Sequence, residues 1–422
     1  MRQYFPKPIR GWWLGQHITV RVATVVILVG FAAFAMSRLV GDARPDADRT
    51  KLAAYAEQVV TACASAPFAP SCYDEEIPKL MDAISMEDAF EVTKLVQEHD
   101  PRYRYCHVLS HNLSYREAGK NLDAWKDVIT RCPATFCNNG CLHGALMRRF
   151  NAETLTDAQV EALKPEIADI CEPRGTWHPA EVERSMCYHA IGHLAMYVTG
   201  ADMTKSSALC RSIGEKPDGR NYIQTCTEGV FMQIYQPLEP EDEALVKGLT
   251  PGRDGVASFC EPYRNANAFS YDACRREAWP LFRDELFRPA GLAQFCSYTT
   301  DPIGERTCYS TVLNMVTVYL LIEKRDFSDA SDYCTALPTA ERQSQCFANM
   351  ATRLIQIDPR YVPDAILVCK NGEEAGRGEE CFRDLTYYAT FSFHAGSPAF
   401  REYCGALPEP HRGTCLALGE RP

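Results

Sequence analysis

Five of the ten histidines open three closely similar segments. These read Cys106-His107-Val108-Leu109-Ser110-His111, Cys141-Leu142-His143-Gly144-Ala145-Leu146-Met147 and Cys187-Tyr188-His189-Ala190-Ile191-Gly192-His193. Aligned on the first histidine they are HxxxH, HxxxM and HxxxH. On a helix, a spacing of four places both side chains on one face, about 6 Å apart. Such a pair can chelate one metal ion. Imidazole suits zinc, copper, nickel or haem iron, and Met147 or Met196 would tilt the choice toward copper. Equivalent helices of stacked hairpins lie about 10 Å apart, so ligands from neighbouring repeats can converge.

A structural reading stands beside this one. A histidine just after a cystine at a helix start can bond to the preceding loop and recur because the repeat recurs. Gly144 and Gly192 mark tight helix packing beside the histidines, which suits that reading. Later segments lack the feature: Cys226 is followed by Thr227-Glu228-Gly229, and Cys274 by Arg275-Arg276-Glu277. The fold as such therefore does not demand the histidines.

Other chemical motifs are weaker. CxxCH, HExxH, GxSxG and the P-loop are all missing. Cys137-x3-Cys141-x-His143 could hold zinc, but disulfide use fits an exported chain better. Glu239, Glu241, Asp242 and Glu243, next to Pro237 and Pro240, read as a solvated connection. Asn112-Leu113-Ser114 is a glycosylation sequon, meaningful only on a eukaryotic secretory route.

The elements that must position the histidines are announced by the cysteines. Twenty are spread over the chain, none as CxxC, the pattern of a disulfide framework in an oxidising compartment. Most close short loops: Cys63/Cys72, Cys171/Cys187, Cys210/Cys226, Cys260/Cys274, Cys296/Cys308, Cys334/Cys346, Cys369/Cys381 and Cys404/Cys415. From Cys274 to Cys415 the second member recurs after 34, 38, 35 and 34 residues, the size of a helix–turn–helix repeat. Tyr333-Cys334 and Tyr403-Cys404 lead into matched Ala-Leu-Pro phrases, then Arg342 and Arg412, then Cys346 and Cys415. Cys132 and Cys141 occupy loop-closing positions as well, which leaves Cys106 and Cys137 to pair over a longer span; spacing alone does not fix the connectivity of these four.

Between cysteine pairs the chain reads as helix. Cys308 to Lys324 is apolar and free of Gly and Pro, and Cys381 to His394 is similar. Ser397-Pro398 starts a short helix, with Ser as N-cap. Thr156 and Gln159 form a capping box ahead of Val160, Leu163, Ile167 and Ile170, although Pro165 should kink or split that helix. No alternating strand pattern occurs. A bridge across such a loop adds roughly 2–4 kcal/mol, enough to make a hairpin with one short helix viable. The expected fold is all-α: disulfide-stapled helical hairpins stacked as an α-solenoid behind one N-terminal transmembrane helix.

The expected organisation is a cytoplasmic segment over 1–17, a membrane anchor over 18–40, a linker over 41–55, a histidine-bearing repeat half over 56–235, an acidic Pro-containing connection over 236–258 and regular repeats over 259–422. Basic residues and two tryptophans precede the apolar stretch, which favours a cytoplasmic N-terminus. Ala33-Phe34-Ala35 has the form of a signal-peptide cleavage site, but the basic region before it is long for a cleaved signal. Both alternatives place the body outside the cytoplasm, in a periplasm or secretory lumen, held at an inner or plasma membrane. The first fifty residues carry seven basic and three acidic residues, so the remainder of this −11 chain sums to −15. An acidic body excludes nucleic acid as the main partner. The sequence favours a binding or scaffolding module for another envelope protein or peptide. The alternative is a metal- or haem-binding protein, possible enzymes included, centred on His107, His111, His143, His189 and His193.

Overall fold

The computed structural model describes residues 46–133, 135–150, 154–175, 177–299 and 301–420. The anchor expected over 18–40 lies outside the described residues, and no described helix is long and apolar enough to cross a membrane. Contacts divide the chain into residues 1–54 and 55–422. Of the first unit only the opening of the helix Asp46–Cys63 is described.

Residues 55–422 are helical hairpins. The described residues hold 22 α-helices, with short 3-10 turns between some of them and a π-helical turn over Val318–Glu323. Among the described residues extended pairing is limited to two isolated bridges, Arg174 with Trp177 and Glu215 with Asn221. Local chemistry sets many of the helix starts. Ser397 accepts from Phe400 N at 3.1 Å, Asp301 from Gly304 N at 2.7 Å, and Asp202 from Thr204 N and Lys205 N at 3.0 Å each; each cap satisfies a backbone donor that the helix cannot. The capping box forms, with Thr156 N on Gln159 Oε1 at 2.9 Å. Its helix, Asp157–Asp169, runs on through Pro165.

All twenty cysteines are bridged. Nine bridges close short loops: Cys63–Cys72, Cys132–Cys141, Cys171–Cys187, Cys210–Cys226, Cys260–Cys274, Cys296–Cys308, Cys334–Cys346, Cys369–Cys381 and Cys404–Cys415. Each ties the end of one helix to its successor across the hairpin. Cys106–Cys137 spans 31 residues. It ties the start of the helix His107–Lys120 to the turn before Gly140–Phe150.

The second helix of each hairpin packs on the second helix of the next. The order is His107–Lys120, Gly140–Phe150, Glu181–Val198, Ile223–Tyr235, Ser270–Glu277, Pro302–Thr317, Ala340–Ile357, Gly378–Ser392 and His411–Leu418. The array then curls back on itself. Gly378–Ser392 contacts Glu181–Val198, and Ala340–Ile357 contacts the turn Cys137–Asn139. Polar links hold this seam: Arg353 Nη1 donates to Asn138 Oδ1 at 2.8 Å, and Arg360 Nη2 to Gln97 Oε1 at 2.6 Å. His394 Nε2 lies 3.1 Å from Glu183 Oε2. The inner helix faces surround a cavity of about 380 Å³.

Candidate metal centre

Four glycines set the spacing of the helices that carry the histidines. A Cβ on Gly140 would strike Ser110 Oγ and the His107 carbonyl, and one on Gly144 the His111 carbonyl. Gly229 sits against the His189 carbonyl, and Gly192 against that of Cys226. Backbone therefore touches backbone beside the histidines themselves. This close approach brings imidazoles of three helices into one cluster.

His107 and His111 present their Nε2 atoms to each other at 3.1 Å, and His189 and His193 theirs at 3.2 Å. His143 stands between the pairs. Its ring centre is 5.2 Å from His107, 4.9 Å from His111, 5.9 Å from His189 and 5.4 Å from His193. One nitrogen from each of His107, His111 and His143 lies within 4.8 Å of the others. All five line the cavity. His107, His111 and His143 are buried, while His189 and His193 are partly open to it.

The far nitrogens are anchored. His107 Nδ1 is 3.3 Å from the Cys137 carbonyl, and His189 bonds to the Thr225 backbone. His111 Nδ1 is 3.2 Å from Glu239 Oε1, and His193 Nδ1 meets Gln233 Oε1. A backbone carbonyl only accepts, so His107 carries its proton on Nδ1 and turns a bare Nε2 inward. With acceptors also behind His111 and His193, the paired Nε2 lone pairs face one another at hydrogen-bond distance. Either a ring proton or a metal ion must lie between them. Without metal, a neutral N–H···N hydrogen bond joins each pair, with a protonated Glu239 or a turned Gln233 amide donating to the far nitrogen. A metal ion needs neither. Two ligands at 2.0–2.1 Å on a tetrahedral ion are about 3.3–3.4 Å apart, close to the spacing of both pairs. Anchoring of the outward nitrogen is the usual support of a metal-binding histidine.

Electrostatics keep the imidazoles neutral. Burial pushes His107, His143 and His189 well below the usual histidine range and His111 down to about 3. His193 is lowered as well, again by burial, with the Gln233 bond opposing. Burial pushes Glu239 up to about 7, with Asp242 adding to the effect. Neutral imidazole is the form that binds metal.

The acidic connection is only in part the solvated loop its composition suggests: Glu241 and Glu243 are exposed, Glu239 is half-buried and Asp242 is buried. Asp242 is 7% exposed. It accepts from Leu238 N at 3.1 Å and Glu239 N at 3.2 Å, and from the Tyr197 hydroxyl. The segment folds over the histidines because a tertiary partner, His111, lies 128 residues earlier. Of the two methionines weighed as ligands, Met147 lines the cavity. Met196 is fully buried, its sulfur 3.5 Å from Ser206 Oγ.

Several residues of the cavity give no warning in the sequence. Arg353 reaches the cavity from Ala340–Ile357. It bonds to Asn138 and to Gln356 at 2.8 Å, has no carboxylate partner among the described residues, and its buried Nε is unpartnered. Cys137, Asn138 and Asn139 all have left-handed backbones, with φ of 49°, 52° and 56°. Such a run costs conformational energy and collects at functional sites. Here it aims the Cys137 carbonyl at His107 and the Asn138 side chain at Arg353. The Asn138-Asn139-Gly140 sequence is the one readable signal, because Asn tolerates this conformation. Comparisons with protein families, with curated proteins and with solved structures find no match, so the chemistry of the cluster is read from its geometry alone.

Proposed function

We propose that this protein is an extracytoplasmic metalloprotein that holds a transition-metal ion on His107, His111 and His143 inside a curled α-solenoid. The observation that carries the reading is the close set of His107, His111 and His143, with the Nε2 atoms of the first two 3.1 Å apart and their other nitrogens held by the Cys137 carbonyl and by Glu239. Three imidazoles leave a fourth position open, the arrangement of a reactive or transporting site rather than a closed structural one. That position faces a cavity of about 380 Å³, large enough for a small molecule. Arg353, which has no carboxylate partner among the described residues, puts a buried cation in a lining that also carries Glu228, Asp242 and Glu277. Imidazole-rich donors favour zinc or copper. Nitrogens 3.1 Å apart leave no room for a porphyrin between them, which favours a bare ion over haem.

The ten disulfides suit an oxidising compartment. An anchor over 18–40 would hold the body at the membrane surface. Presentation of a concave face to an envelope protein or peptide is the rival function. It draws less support, because the inner helix faces are turned onto the cavity and the array closes on itself.

Metal analysis of protein purified from an oxidising compartment tests the proposal. Bound zinc or copper is expected, lost on chelation and regained on titration. Replacing His107 and His111 together by Gln should abolish that uptake with helicity kept. Protein that stays metal-free after incubation with zinc and with copper would leave the partner-binding reading in its place.

A further inference from the structure

We infer that the cavity takes a small monocarboxylate with an apolar body, its carboxylate on the Nε–Nη2 edge of Arg353. This occupant goes beyond the ion of the proposed function, and its site stands whether or not a metal is bound.

The guanidinium is held by one corner. Its Nη1 donates to Asn138 Oδ1 and to Gln356 Oε1, both neutral amides and both at 2.8 Å. Nε and Nη2 make no hydrogen bond among the described residues, and Nε is buried. These two nitrogens form an edge whose parallel N–H bonds match the two oxygens of a carboxylate. Arg276 and Arg342, buried in other parts of the fold, each meet such a group. Arg276 Nη2 is 2.6 Å from Glu228 Oε1, and Arg342 Nη2 is 2.9 Å from Glu305 Oε2. Arg353 has no carboxylate among the described residues. Burial lowers it from the ordinary arginine range, and only Tyr105 and Tyr388 oppose that effect. A desolvated cation of this kind calls for an anion.

The rest of the lining selects the anion. Its carboxylates are already engaged. Glu228 and Glu277 both meet Arg276, Glu277 also accepts from Gln236 Nε2 at 3.1 Å, and Asp242 accepts from the Leu238 and Glu239 amides. They do not neutralise Arg353 by contact, yet their charge disfavours a multiply charged ion such as phosphate. One guanidinium therefore receives one negative charge. Met186, Met232, Met315, Val318 and Trp279 supply an apolar wall for the body of the ligand. Methionines adapt to apolar groups of varied shape. Asn138, which holds Nη1, directly follows Cys137, whose carbonyl is 3.3 Å from His107 Nδ1. The Arg353 charge is also felt at His107. The charged end of the ligand then lies on the histidine side of the cavity.

Hexanoate is the probe, with hexanamide as its uncharged counterpart and inorganic phosphate as the competing anion. Calorimetric titration of the metal-free, fully oxidised chain keeps the outcome separate from that of metal uptake. Hexanoate is expected to bind saturably at one site and to change the indole fluorescence, a change lost in Trp279→Phe. Arg353→Gln should weaken binding at least about tenfold. If circular dichroism shows that this variant fails to fold, Arg353→Lys replaces it and should also weaken binding, because an ammonium lacks the paired donors. Hexanamide bound as tightly as hexanoate, or an affinity unchanged in the variant, would overturn the inference. A fluorescence change that persists in Trp279→Phe would place the ligand elsewhere and overturn it too. Phosphate bound more tightly than hexanoate would replace the monocarboxylate by an inorganic oxyanion. No saturable hexanoate binding would remove the site and leave the metal reading as it stands.

Discussion

An imidazole ligates through a nitrogen that carries no proton, and the bond made by its other nitrogen decides which one that is. This makes Glu239 a positioning residue for His111, 3.2 Å from its Nδ1. Glu239→Gln offers an amide that can donate instead, which would turn the His111 proton inward. Loss of such an outer partner typically costs about 10–100-fold in metal affinity, and a competition titration with a chelator should show a loss of that order. The metal-free protein should also be acid-sensitive at the same residues. Their folded-state values are lowered by burial. Below about pH 6.5 the unfolded chain takes up protons that the native state refuses, so stability falls as pH drops from there toward the folded-state values. The slope approaches about 1.4 kcal/mol per pH unit for each of His107, His111 and His143. Urea midpoints at pH 7, 6 and 5 should fall in the parent and flatten in H107Q/H111Q; equal slopes in both would show that these histidines do not control acid stability.

At the scale of the helices, the cluster depends on contact between backbones. Gly144→Ala would set a methyl group into the His111 carbonyl and push Gly140–Phe150 off His107–Lys120. Overpacking of this kind costs about 1–3 kcal/mol, and here it also spreads the imidazoles. Melting temperature and metal uptake should both drop. Gly405→Ala is the control, since a Cβ there meets nothing within 4 Å and Ala is the better helix former. A Gly144→Ala protein that binds metal as well as the parent would refute the role given to close packing. Much of this level is legible in the sequence. Cysteine spacing marks the hairpins, Ser397 and Thr156 mark helix starts, and Gly144 and Gly192 mark close approach. The left-handed run at Cys137–Asn139, the burial of Asp242 and the partial burial of Glu239 are not legible. Carboxylates between prolines look solvent-seeking until a partner 128 residues away is known.

For the whole molecule, local repetition tells how each hairpin is made but not how the array bends. The small rotation between one hairpin and the next is set by side-chain volumes across each interface and leaves no periodic mark. The seam that joins Arg353 to Asn138 across 215 residues, and Arg360 to Gln97 across 263, is therefore invisible to spacing. So is the enclosure of the histidines, which turns an expected outer surface into a cavity wall. Curvature in this way converts a repeat array into a container with one chemically distinct interior. The most direct test is anomalous diffraction from crystals of the metal-loaded protein, recorded at the absorption edge of the bound metal. A peak about 2.0–2.1 Å from Nε2 of both His107 and His111, within the cavity, is the predicted result. Loaded crystals whose only anomalous peaks lie on the outer surface would contradict it.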